Sequence, residues 1–176
     1  MDEQKGPLLP LDIKFKVKDV LRYNMSVARK NIVNCIVLGL GGFVLIYFFY
    51  KMFTTAERLD VFIAKNVMLL VVPLLIFMMI PWKVWQITVA QMQQPAFAYG
   101  VKYIFSKDHI ILDIGEASEE MAWDLFVKII ETKHDFRFYI NDISAQIIPK
   151  HNMTTDELAM LKQIIKEAAP DRYQFK

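Results

Sequence analysis

Hydrophobic and polar positions follow three different rhythms along this chain. From Leu11 to Lys18 they alternate, with Leu11, Ile13, Phe15 and Val17 apolar and Asp12, Lys14, Lys16 and Lys18 polar. Period two is the mark of a half-buried strand, so a strand is expected over residues 11–17. A lone strand is not stable and must join a sheet elsewhere; a basic arm lying on anionic lipid is the rival reading. Residues 19–30 contain no Gly or Pro, and with Asp19 as N-cap they predict a helix that runs on into the next segment.

The second rhythm is no rhythm at all. Asn31 to Tyr50 gives twenty residues without a charge, and Asn66 to Trp82 gives seventeen. As helices these runs measure about 30 Å and 26 Å, close to the ~30 Å hydrocarbon core of a bilayer. Buried helices of a water-soluble protein usually keep a polar stripe, and neither Cys35–Phe49 nor Val67–Pro81 has one. A cleaved signal peptide needs a short basic start and small residues at its end. Here the first thirty residues are mixed in charge, and Tyr47–Lys51 is bulky. The pattern predicts a transmembrane hairpin, with spans over 31–53 and 61–85 joined by an external loop at 54–60. Pro73 is expected to kink the second span. Tyr50, Trp82, Lys83 and Trp85 are the expected interfacial anchors, because aromatic rings favour the headgroup level. Trp82 and Trp85 could instead meet a ligand.

The third rhythm returns after Pro95, where a soluble domain over 96–170 is expected. Ala96–Phe105, His109–Ile114, Met121–Thr132, Phe136–Ile140 and Ala145–Pro149 are rich in β-branched and aromatic residues. Turn residues separate them, so the domain reads as an antiparallel meander or small open barrel. Thr154 and Glu157 form a capping box. Leu158, Leu161, Ile164, Ile165 and Ala168 then mark one helical stripe, stopped by Pro170. The fold class is α+β: a membrane hairpin plus a small antiparallel sheet or barrel capped by a C-terminal helix. If strand 11–17 joins that sheet, the hairpin is an insertion within one domain.

Charge sharpens the picture once it is divided. Residues 1–30 carry seven Lys/Arg against four Asp/Glu, and residues 96–176 carry ten against thirteen. The acidic balance of the tail argues against nucleic acid. Lys14, Lys16, Lys18, Arg22, Arg29 and Lys30 precede the hairpin, whereas the loop offers chiefly Lys51 and Arg58. The positive-inside bias then places both termini in the cytoplasm. The single cysteine, Cys35, excludes an intramolecular disulfide. It is read as a helix-packing residue in preference to a redox or lipidation site. Cys35, Gly39 and Gly42, with Gly41, form a small-residue face that another helix can approach, which makes homo-oligomerisation through the spans conceivable.

The three histidines, His109, His134 and His151, are too far apart for a local metal motif. Glu116, Glu119 and Glu120 read as a solvated turn beside Gly115. No phosphate loop, dinucleotide fingerprint or serine elbow is present. No catalytic, cofactor or metal residue is assigned, and the expectation is a non-enzyme.

Residues 123–150, WDLFVKIIETKHDFRFYINDISAQIIPK, resemble the C-terminal domain of the YcxB-like family of bacterial membrane proteins. Trp123, Lys128, Phe138, Ile148, Pro149, Lys150 and the Thr154–Glu157 cap fall on that family's pattern, and the order of charged start, two spans and domain agrees with it. The resemblance implies a pleckstrin-homology-like sandwich or split barrel in a bacterial inner membrane. It carries over no catalytic residue. Trp123, Lys128, Pro149 and Lys150 are read as structural, with Trp123 a core indole, Pro149 a strand-end proline and Lys150 a solvated lysine. Three functions are expected in descending order. They are a membrane-anchored adaptor that binds protein, an immunity protein that neutralises a bacterial toxin, and a channel or transporter subunit.

Overall fold

The computed structural model describes residues 8–115 and 117–175, so Glu116 lies outside the described residues. The chain divides into two compact units: residues through Val20 together with Ala90 onward, and Leu21–Val89.

The first unit is built on two four-stranded sheets. The first sheet has the order β1 (Leu9–Ile13), β2 (Val101–Phe105), β3 (His109–Asp113) and β4 (Ser118–Ala122), with all neighbours antiparallel. The second has the order β7 (Ala145–Pro149), β6 (Asp135–Tyr139), β5 (Lys128–Glu131) and β8 (Tyr173–Phe175). Both sheets are antiparallel except for the parallel β5–β8 pair.

β1 alternates as its sequence demands, with Leu9, Leu11 and Ile13 buried and Pro10 and Asp12 exposed. It pairs with β2 from Leu9↔Phe105 to Ile13↔Val101. The strand therefore lies earlier than residues 11–17. Phe15 leaves the ladder to pack its ring against Phe97 at 4.9 Å, and Val17 already opens α1 (Val17–Lys30). Asp19 is not the N-cap but sits inside the first turn, where its carboxylate accepts from the Lys16 backbone N–H at 3.1 Å.

Two other expected strands are interrupted. Ala96–Phe105 opens as a short helix, α4 (Pro95–Ala98), because Pro95 presets the first helical turn. Gly100 then reverses the chain at φ +90; a Cβ there would lie 2.7 Å from the Ile13 carbonyl oxygen, so only glycine fits. Met121–Thr132 is split by a 3-10 turn at Trp123–Leu125, which lets both Trp123 and Phe126 enter the core. Beyond Pro170 the chain does not stop but adds β8, which the sequence reading did not foresee.

The two sheets share one core with α5 (Thr155–Ala168), which contributes Leu161, Ile164 and Ile165. Phe138 lies at its aromatic centre, 5.9 Å from Phe105, 5.3 Å from Phe126 and 6.3 Å from Trp123. The Thr154–Glu157 capping box forms in both directions. The hydrogen bonds from Thr154, the backbone N–H first, hold the Glu157 carboxyl below its ordinary value.

The second unit contains two helices long and apolar enough to cross a membrane, α2 (Ile32–Thr54) and α3 (Leu59–Met92). Each has a mean hydropathy of 2.4 over its most apolar stretch, of which only 11% is buried. α1 does not run unbroken into α2. Asn31 is extended (φ −70, ψ 117), and its side chain caps α2 through the Val33 and Asn34 amides. The link between the spans is residues 55–58, shorter than the expected loop, because both helices continue past the charges at their ends. Inside α3 the residue with non-helical dihedrals is Asn66 (φ −118, ψ 16), seven residues before Pro73. Asn66 accepts from the Lys51 ammonium at 3.0 Å and donates to the Phe62 carbonyl at 2.9 Å. Its amide thus offers the backbone an alternative partner and draws the α2 lysine to the bend.

Candidate functional site

The residues singled out by sequence fall into three separate places. The small-residue face is the first. Only Gly41 meets the second span, where a Cβ would lie 3.4 Å from Ile76 and 3.6 Å from Phe77. Gly39 and Gly42 have open space beside them, and Cys35 is exposed with its thiol directed to the Arg29 carbonyl at 3.2 Å. The close approach within the hairpin therefore belongs to Gly41, one residue removed from the expected row. Gly41→Leu is expected to lower the melting temperature of the detergent-solubilised protein by several degrees through overpacking. Gly39→Leu and Gly42→Leu should leave it within error, and equal effects at all three would refute this assignment.

The aromatic residues mark the second place. Tyr50 lies at the loop end of the hairpin, and Trp82, Lys83 and Trp85 lie on α3 near its other end, all exposed. Between α1 and α3 runs a groove of about 970 Å³ with apolar walls, lined by Leu21, Met25, Leu75, Met78, Trp82 and Trp85 among others. The α1–α3 packing is pinned by Asn24, which donates to the Thr88 hydroxyl at 3.0 Å. Leu21 and Met25 were not singled out in the sequence. Their spacing of four residues places both on one face of α1, but says nothing of what that face meets.

The domain holds the third place. Trp123 is buried and donates its indole N–H to the Ser106 carbonyl at 3.1 Å. Pro149 is buried at the end of β7 opposite Asp135, and Lys128 is half-buried opposite Tyr139. Lys150 is not a solvated lysine. Its side chain is 17% exposed and donates to the Glu131 carboxylate and the Thr132 carbonyl, both at 2.6 Å. It also sits 5.0 Å from the centre of the Phe136 ring.

Glu131, 1% exposed, gathers this cluster: Lys150 from the end of β7, Lys162 from α5 at 2.7 Å, and the Tyr173 hydroxyl from β8. Burial pushes the Glu131 carboxyl up, but the hydrogen bonds from Lys150, Lys162 and Tyr173 outweigh it and hold the group below its ordinary value. Burial and the facing carboxylate push the Tyr173 hydroxyl up. Sequence reasoning missed Glu131, although a lone acid closing the apolar strand KIIE is the kind of position that needs a partner. The cluster ties four elements together through one buried carboxylate. Its chemistry is that of a clasp.

At one end of the central β5–β6 pair of the second sheet, apolar side chains are exposed to solvent. Phe126 turns inward, so Leu125 and Val127 on either side of it point outward. The Val127 N–H donates to the Tyr139 carbonyl at 2.9 Å, which sets Val127 beside Ile140. Ile143 follows in the β6–β7 turn. Leu125, Val127, Ile140 and Ile143 are all exposed. Elsewhere, Glu119 and Glu120 are exposed on β4, and His109 lies 3.4 Å from Glu120. His151 meets the buried Asp19 at 2.8 Å. Among the described residues, no three His, Cys, Asp or Glu side chains gather as a metal site.

Residues 105–165 match the family described as YcxB-like protein. The match covers about a third of the chain, from the end of β2 to most of α5, and includes Trp123, Lys128, Pro149 and Lys150. No curated protein and no solved structure matches this chain.

Proposed function

We propose that this chain, which carries a YcxB-like domain, is a membrane-anchored, non-enzymatic adaptor of the bacterial inner membrane. Its domain faces the cytoplasm and presents a protein-binding surface. The observation that carries this reading is the exposed apolar group Leu125, Val127, Ile140 and Ile143. Large apolar side chains exposed together at one end of a strand pair are a usual mark of a protein-docking site. The net acidic balance of the domain favours a protein over anionic lipid as the partner.

Anchoring rests on two helices whose apolar faces are almost entirely uncovered; in water such exposure would be costly. Orientation rests on the basic residues before α2 and the weaker positive charge of the link. The pleckstrin-homology-like reading draws on two four-stranded sheets around one core, with α5 closing it.

Two measurements test the proposal. A cysteine at Thr54, in a Cys35→Ser background, is expected to react with an impermeant thiol reagent applied to intact cells. Labelling only after lysis would reverse the topology. For binding, a photo-crosslinker at Leu125 in the intact membrane protein should capture a discrete partner. The pair Val127→Glu and Ile143→Glu should reduce that capture about ten-fold, the loss expected when an interface anchor is removed. Undiminished capture would remove this surface from consideration.

A further inference from the structure

We infer that the α1–α3 groove is a binding site for one anionic phospholipid, with an acyl chain along Leu21, Met25, Leu75 and Met78 and the phosphate beside Arg29. This rests on the membrane-anchored reading above.

The groove has the size of a ligand site and almost no polar wall. Trp82 and Trp85 line it, and indole rings settle where headgroups meet hydrocarbon. That sets the groove at the depth where a lipid passes from phosphate to chain. A water-filled apolar groove at this level is unfavourable, so hydrocarbon fills it.

Selectivity comes from α1. Arg29 stands four residues after Met25, one turn further along α1, and is exposed. It therefore continues the face on which Leu21 and Met25 line the groove. Guanidinium groups bind phosphate through paired hydrogen bonds, and an anionic headgroup leaves a net negative charge to meet them. Asn31 holds the end of α1 in place: it caps α2, while Asn34 donates to the Ala28 carbonyl at 2.9 Å. The cradle is thus fixed by the chain itself.

The test uses the intact protein in phosphatidylcholine vesicles with a minor fraction of chain-brominated lipid, which quenches nearby tryptophan. Trp123 is buried in the domain core and supplies a constant background. Brominated phosphatidylglycerol is expected to quench Trp82 and Trp85 more strongly than the same fraction of brominated phosphatidylcholine. Arg29→Gln should lower that preference about five-fold, in line with the attraction of one basic residue to an anionic lipid surface.

Vesicle flotation is recorded for every variant. Protein that floats but is quenched equally by both lipids overturns the site and leaves the anchoring intact. Protein that does not float overturns both. Crosslinking between two copies through Met25→Cys, with quenching lost, would assign the groove to a second copy of the chain and also overturn the inference.

Discussion

Replacing Leu9, Leu11 and Ile13 together by serine in the full-length chain is expected to abolish cooperative folding of the β domain. All three side chains are buried in its core. Each loses about 1.5–3 kcal/mol of burial, so the triple change costs roughly 5–9 kcal/mol. A domain of this size is stable by about 5–15 kcal/mol in total. β1 is also an edge of its sheet, and its loss exposes β2, whose Val101, Tyr103 and Phe105 are buried. Pro10 and Asp12 are exposed, and their replacement by serine should change stability by no more than about 0.5 kcal/mol. The measurement is a thermal melt in detergent followed by Trp123 fluorescence, with hydrogen exchange of the β2 amides. Unchanged melting and full β2 protection in the triple variant would mean that β1 does not belong to the sheet.

The second large effect is expected at Glu131. Glu131→Ala removes the anion from between Lys150, Lys162 and Tyr173 and should cost about 3–5 kcal/mol, as for other buried pairs that lose one partner. Lys162→Ala should cost only about 1 kcal/mol, because Lys162 is a third exposed and Lys150 remains.

The pH dependence follows from the two shifts. The folded Glu131 value lies below the ordinary one, so its stabilisation is present above the ordinary carboxylate range and fades as pH falls through the folded value. The folded Tyr173 value lies above the ordinary one. Its contribution is therefore full below pH 10.0, the ordinary tyrosine value, and fades as pH rises beyond it. Denaturant midpoints should accordingly fall at both ends of the range, and Glu131→Ala should flatten the acid limb. An unaltered acid limb in that variant would assign the acid sensitivity to other carboxylates.

Much of this architecture could be read from local patterns. The uncharged runs gave the two long helices, the Thr154–Glu157 spacing gave the α5 cap, and alternation gave β1, which begins two residues and ends four residues before the expected span. The errors share a cause. Ala96–Phe105 and Met121–Thr132 look like continuous strands because composition registers apolar content but not direction. The turns inside them are set by Pro95, by Gly100 against Ile13, and by the need to bring Trp123 and Phe126 into one core. Pro73 was the expected kink, and the non-helical dihedrals of α3 fall seven residues earlier. Asn66, with a side chain that competes for backbone partners, is where α3 bends.

The clasp and the groove were less legible. Lys150 looked solvated because its partner Glu131 is nineteen residues away, and the groove walls come from helices fifty residues apart in the chain. No pattern within a single segment carries that information.

What the sequence alone determined is whatever depends on neighbours along the chain: which stretches are apolar enough to leave water, which alternate, and where helices begin. The solvent preference of a side chain and the hydrogen bonds of its own backbone are local properties, and they survive translation into sequence. What only the tertiary structure decided is which residues meet. The pairing of β1 with β2 across the hairpin, the four-element clasp on Glu131 and the choice of Gly41 over Gly39 and Gly42 all depend on the direction in which a side chain points. That direction is fixed when the whole core closes.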